Sequence, residues 1–260
     1  MRKVDKYLLK LLGKKYIPII WLRSYIKKRF FTKRIKTVSA ISVADRKYDT
    51  LLIGNLQMFI EALSPKKGLP PFFEGCNYGG GDLEIYDFVI KKFLPARIIE
   101  IGSGGSTQFA YYKANNASIT AIDPEPRTIL PQHDIKFIMS KCEEVPLELF
   151  EELTKGDILF IDSSHYKEEA EYHVKHILPV LKSGVIIHHH DIYYPYDVNP
   201  QWGEQKVVLD FYFANADKYE IFCPTAFAYY YNNWFFRTKL NLSKRLPHDA
   251  IPSSFWVVKK

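Results

Sequence analysis

The chain has 260 residues, of which 47% are hydrophobic and 25% charged, a balance that excludes wholesale disorder and fibrous repeats and suits one large α/β core. Its three cysteines, Cys76, Cys142 and Cys223, are odd in number and far apart, so no disulfide framework or cysteine zinc knuckle is read and a reducing, cytoplasmic compartment is expected. The formal charge of +7 is unevenly placed: residues 1–36 carry 13 Lys or Arg against Asp5 alone, which leaves the remainder at −5 and argues against a nucleic-acid-tracking surface on the body.

In chain order, residues 1–44 read as a basic amphipathic extension. Leu8, Leu11, Leu12, Tyr25, Ile26 and Phe30 recur at helical spacing among lysines and arginines, and Pro18 splits the pattern in two. The apolar run at 16–22 is too short to span a bilayer. The arm is expected to pack on the body or on a second copy in a homo-oligomer, to lie on an anionic membrane surface, or to meet a polyanionic partner. Residues 45–94 read as a helical cap with a glycine-rich loop. A helix covers 45–63, a Pro- and Gly-rich loop covers 64–81, and Asp82 is placed to cap a helix over Leu83–Phe93.

From 95 to 240 short apolar runs alternate with helical segments. Strands are predicted over 97–101, 118–122, 135–139, 157–161 and 185–187, with helices over 107–115, 146–153 and 167–181. Strand, helix, strand at this spacing means βαβ units and a mostly parallel sheet. A helix over 204–214 and strands over 219–222 and 226–236 follow. Residues 241–260 read as a proline-punctuated tail over the surface.

The first strand runs into Gly102-Ser103-Gly104-Gly105-Ser106-Thr107 and then a helix. Glycines let the backbone turn tightly beside a ligand, and a helix N-terminus offers free amides. Thr107 stands where the full dinucleotide fingerprint needs its last glycine. Glu100, just before the glycines, disfavours a phosphate and suits a cationic group. Asp123, closing the second strand 23 residues later, suits ribose hydroxyls. A ribose, no pyrophosphate and a positive amino-acid head together describe S-adenosylmethionine.

The fourth strand ends in Asp162-Ser163-Ser164-His165 and the fifth in His188-His189-His190-Asp191. In an open parallel sheet, ligands bind at the carboxyl ends of strands, so these groups can converge beside the cofactor. Alternation puts His188 and His190 on one side of an extended segment, and His189 and Asp191 on the other.

These motifs resemble the class I S-adenosylmethionine-dependent methyltransferases over about residues 95–236. The resemblance is narrowest to small-molecule and sugar O-methyltransferases with Asp-x-x-His after strand four and His-Asp after strand five. It implies a Rossmann-like, seven-stranded, mostly parallel sheet with helices on both faces and the last strand antiparallel. It also implies that Glu100, Gly102, Gly104, Ser106 and Asp123 face the cofactor, with Cys142 and Glu143 on its adenine side. Asp162 and Asp191 would hold a divalent metal such as Mg²⁺, with His165 as base; Asp162 could instead serve catalysis by orienting that imidazole. The single Asp191, preceded by His190, departs from relatives with two adjacent acids and puts the metal in question. The acceptor would be a small-molecule hydroxyl, met by the loop at 77–81 and by Tyr193, Tyr194, Tyr196 and Trp202. The competing classes are a nucleic-acid methyltransferase using the basic arm, a nicotinamide oxidoreductase, and a non-catalytic interaction protein on the same fold.

Overall fold

The computed structural model describes residues 46–53, 81–126, 134–196, 203–231 and 251–260. The expectations for the arm at 1–44, for most of the helix at 45–63, for the loop at 64–80 and for Trp202 lie outside the described residues.

Seven strands form one sheet. They are β1 (Arg97–Ile101), β2 (Ser118–Ile122), β3 (Ile135–Ile138), β4 (Ile158–Ile161), β5 (Ile186–His189), β6 (Tyr219–Pro224) and β7 (Phe255–Lys259). Their order is β3-β2-β1-β4-β5-β7-β6. The pairings among β1 to β5 are parallel, and β7 runs antiparallel to both β5 and β6. This is the Rossmann-like sheet of the class I methyltransferase fold.

The helices are α1 (Asp49–Ile53), α2 (Asp82–Phe93), α3 (Gly105–Lys113), α4 (Glu148–Glu151), α5 (Lys167–Tyr172), α6 (Glu204–Ala214) and α7 (residues 225–231). A π-helical turn, His173–Ile177, extends α5 into Leu178–Val180.

Strand side chains alternate between two cores. Ile98, Phe160, Ile186 and Trp256 face one side, against Tyr86 and Val89 of α2 and Phe109 of α3. Ile99, Leu159, Ile187 and Val257 face the other, against Phe150, Ile177 and Tyr212. Burial on both faces is why the parallel strands read as unbroken apolar runs.

Four expectations are corrected. The seventh strand is not 226–236. Residues 225–231 are helical, with the Phe227 and Tyr231 rings 4.9 Å apart one helical turn on. The strand is supplied by the last residues, so the end of the 241–260 segment is sheet and not surface wrapping. Phe255 to Val257 are almost wholly buried between β5 and β6. Both stretches are apolar and aromatic, and only the pairing partner selects between them. The fifth strand does not stop at Ile187 but continues through His188 and His189, both fully buried. Asp82 opens α2 but does not cap it. Its carboxylate accepts the backbone amides of Ser253 (3.1 Å) and Ser254 (2.9 Å), fastening the start of β7 to α2.

Candidate active site

The register aligns the strand ends. Ile101 pairs with Ile122 and Ile161, Ile122 with Ile138, and Ile161 with His189. The next residues, Gly102, Asp123, Asp162 and His190, therefore share one carboxyl edge. Both of the sequence-predicted clusters lie along it.

The β1–β2 half is a tight backbone turn. Gly102 has φ +90°, and a Cβ there would lie 1.9 Å from the carbonyl oxygen of Asp162. Only glycine lets the chain pass this close to the end of β4. Glu100 points into the core and is fully buried. Its Oε1 accepts the Ser106 hydroxyl, so Ser106 turns inward toward Glu100. Its Oε2 is buried without a hydrogen-bond partner. Burial, offset by bonds from Ser106 and Thr107, pushes the Glu100 carboxyl up to about 8. Asp123 faces outward, with Oδ2 taking the Ser103 hydroxyl at 2.6 Å and Oδ1 the Glu125 amide at 2.8 Å. The Gly104 amide donates to Thr107 Oγ1 at 2.9 Å. Glu143 is exposed, whereas Cys142 is buried with its sulfur 3.2 Å from His173 Nε2.

The β4–β5 half is a cluster of acids around two imidazoles. His165 Nδ1 meets Glu204 Oε2 at 2.7 Å, at the start of α6. Its Nε2 lies 3.4 Å from Asp191 Oδ2 and 3.8 Å from Asp162 Oδ1. His190 Nδ1 lies 3.3 Å from Asp191 Oδ1 and 3.5 Å from Asp162 Oδ1, with Nε2 3.9 Å from Asp82. Tyr193 and Ser253 donate their hydroxyls to Asp191 at 2.8 and 3.0 Å.

His165 and Asp191 are both left-handed, at φ +64° and +59°. Non-glycine residues rarely hold this conformation, and it clusters at functional sites. At Asp191 it has a visible consequence. The strand is no longer regular there, and the carboxylate joins His190 rather than facing away from it.

Charge follows geometry. Burial lowers the His165 imidazole, but the Glu204 bond and the Asp191 and Asp162 charges outweigh it and push it up to about 9. Burial also opposes the charge on His190, yet Asp162 and Asp191 hold its pKa well above the ordinary range. The other two histidines of the run are structural. His188 stacks on Phe160 at 3.8 Å and meets Ser254, while His189 meets the Tyr212 hydroxyl at 2.9 Å. Burial pushes His189 down to about 3, so it stays neutral.

Sequence reasoning missed Asp82, Glu204, Tyr193 as a partner of Asp191, and Ser253. Glu204 had one available signal, as an acid opening a helix just after the aromatic loop. Asp82 was marked only as a helix cap, and nothing local marks Ser253.

Residues 99–192 match the family model described as a methyltransferase domain. No curated protein matches the chain. Several solved structures are similar at low identity. A Bacillus cereus O-methyltransferase in complex with SAH is 13% identical, with 84% of this chain and 98% of that one covered and a TM-score of 0.40. The apo structure of CalS11, a TDP-rhamnose 3′-O-methyltransferase of calicheamicin biosynthesis, is 13% identical, with 89% and 92% covered and a TM-score of 0.38. The mycinamycin-pathway methyltransferase MycE, with Mg, SAH and mycinamycin VI, is 17% identical over 54% of this chain, with a TM-score of 0.35. This chain spans 38% of that MycE chain's length. The strand order is that of the Rossmann-like class I methyltransferase fold, and its central part, residues 99–192, is what matches the methyltransferase-domain model.

Proposed function

We propose that the protein transfers a methyl group from S-adenosylmethionine to a hydroxyl oxygen of a small molecule, of the sugar or natural-product type. The observation that carries this reading is the meeting of His165 with Asp162 and Asp191 beside the Gly102 turn. A base and two carboxylates next to a cofactor turn are what hydroxyl methylation needs. The acceptor class rests on the resemblance of Asp162-x-x-His165 and His190-Asp191 to sugar-methylating enzymes.

The residues present fit the cofactor. Asp123 offers carboxylate lone pairs to a ribose, and Glu100 keeps one buried oxygen unpartnered beneath the turn. Bound S-adenosylmethionine supplies an electrophilic methyl on sulfur. The chain's task is to align an acceptor oxygen behind that carbon and take its proton. With the cofactor bound, His165 Nε2 would take the proton that the acceptor hydroxyl gives up. Glu204 holds Nδ1–H, which fixes the tautomer and leaves Nε2 aimed at the edge.

The acids around it push the His165 pKa up to about 9, so the imidazole favours its protonated form at neutral pH. Two carboxylates on adjacent strand ends suit magnesium, which keeps waters and substrate oxygens in its other positions. A divalent ion held by Asp162 and Asp191 would acidify the acceptor hydroxyl and cancel the charges that keep His165 protonated. Residues 45–94 are read as a cap over the 95–240 core, to which Asp82 contributes its contact with His190. The arm at 1–36 is read as a site of self-association or of peripheral contact with an anionic membrane, in a cytoplasmic protein. Among the described residues no helix is long and apolar enough to cross a membrane.

The test is calorimetric titration with S-adenosylmethionine, with and without magnesium chloride, followed by methyl-transfer assays on sugar nucleotides and hydroxylated natural products. Saturable binding and transfer to an oxygen are expected. Absence of binding by folded protein would overturn the reading. Binding without transfer to any hydroxyl would reduce it to a cofactor-binding module.

A further inference from the structure

We propose that Cys142, Glu169 and His173 form a binding site for a zinc ion, using none of the residues of the Asp162–Asp191 edge. Cys142 opens a 3₁₀ turn, Cys142–Glu144, after β3. Glu169 and His173 are four residues apart on α5 and its π-helical continuation, so they share one helix face. The π-helical turn begins at His173, and such turns recur at functional sites.

The geometry is that of a ligand set. Cys142 Sγ lies 3.2 Å from His173 Nε2 and 3.8 Å from Glu169 Oε1, and those last two atoms are 3.9 Å apart. A triangle with these sides has a centre about 2.1 Å from each corner, against typical zinc bonds of about 2.3 Å to sulfur and about 2.0–2.2 Å to imidazole and carboxylate. An ion slightly out of that plane meets all three atoms at bonding distance. Cys142 and His173 are 2% and 1% exposed, and Glu169 is partly open on the solvent side, where a water or Glu143 can complete a tetrahedron. Glu143 Oε2 already lies 3.3 Å from the sulfur.

A hydrogen-bonded thiol does not account for this arrangement. A thiol has one proton, and here an imidazole and two carboxylates converge on it. Glu169 is also held in place from outside the triangle. Its Oε2 takes the Ser164 amide at 3.1 Å and the Ser164 hydroxyl, which turns Oε1 toward the thiol and the imidazole. Orientation of a ligand by a second partner is the usual support of a metal site. Thiolate, imidazole and one carboxylate select zinc over magnesium, which prefers oxygen alone. On binding, the thiol proton is lost to solvent, so affinity rises with pH. Through Ser164 the ion would brace the loop that carries Asp162 and His165 without touching either.

The test uses chelator-stripped full-length protein titrated with cobalt(II), which reports thiolate ligation by a near-ultraviolet charge-transfer band, followed by displacement with zinc. One equivalent with that band is expected, displaced by zinc and unaffected by excess magnesium. The band should vanish in Cys142→Ser, and affinity should fall at least tenfold in His173→Gln. Both band and affinity should persist in Cys223→Ala and Asp162→Asn. Stripped wild-type protein should also melt at a higher temperature with zinc, and Cys142→Ser should not. No saturable cobalt binding by folded wild-type protein overturns the proposal. So does a band that survives Cys142→Ser, or one lost in Cys223→Ala while His173→Gln keeps it.

Discussion

The two halves of the carboxyl edge are built differently. The β1–β2 half is made of a continuous stretch, Glu100 to Thr107, joined by Asp123 one strand-helix-strand later. Its key constraints are backbone ones: the positive φ of Gly102 and the approach of the Asp162 carbonyl. The β4–β5 half gathers Asp82, Asp162, His165, His190, Asp191, Glu204 and Ser253 from α2, β4, β5, α6 and the approach to β7. Its constraints are side-chain charges meeting across long separations. A turn can be specified locally, whereas a charge cluster exists only once the sheet has assembled. The first half should therefore fail through shape and the second through charge.

The largest effect that separates them is expected at Gly102→Ala. The added methyl meets backbone at 1.9 Å, which a flexible neighbour cannot relieve. Strain and clash of this kind cost at least 1–3 kcal/mol, so a fall in Tm of roughly 5 °C or more and loss of S-adenosylmethionine binding should appear together in thermal unfolding and calorimetry.

In the charged half, His165→Ala should lower turnover about 10²-fold with cofactor affinity nearly unchanged. Parallel loss of binding and turnover would remove the base role. Glu204→Gln sharpens the point. Removing its charge lowers the His165 pKa from about 9, so the alkaline rise of the pH–rate profile should move toward neutral pH. A profile that stays in place while activity falls would make Glu204 structural only.

Asp123→Ala should weaken cofactor binding roughly tenfold or more, the worth of a hydrogen bond to a charged group, and leave the pH profile alone. Unchanged affinity would detach Asp123 from the ribose.

A separate test is one of stability against pH. The folded-state value of Glu100 is raised from 4.5 to about 8, so the native protein holds a proton that the unfolded chain has released in that interval. This contribution is complete below the ordinary value and is lost as pH rises through about 8. Thermal melts from pH 5 to 8.5 should show a decline in the wild type that Glu100→Gln flattens. Identical slopes would mean that Glu100 is already solvated.

The legibility of the site divides along the same line. Gly102 and the acids Glu100 and Asp123 were readable because a strand-to-helix turn leaves its mark within ten residues. Asp162, His165, His190 and Asp191 were readable as strand-end polar groups, but not their mutual arrangement. The partners of Ser106 and Cys142 were not readable either: one hydroxyl bonds Glu100 and one thiol lies against His173. Side-chain direction depends on what packs opposite, and here the opposing residue lies on another element or across a turn.

The sequence by itself determined the βαβ alternation, the strands β1 to β4, the glycine turn and the list of ionisable strand ends. Each follows from local periodicity or from the backbone freedom of particular residues. Only the tertiary structure decided that Phe255–Lys259, and not 226–236, closes the sheet, since both are apolar and aromatic and only a strand between β5 and β6 buries both faces. It alone turned Asp191 back toward His190, and it alone set Asp82 and Glu204 against the two histidines. Those choices are made by burial and by charges brought together from distant parts of the chain, and neither can be read from spacing.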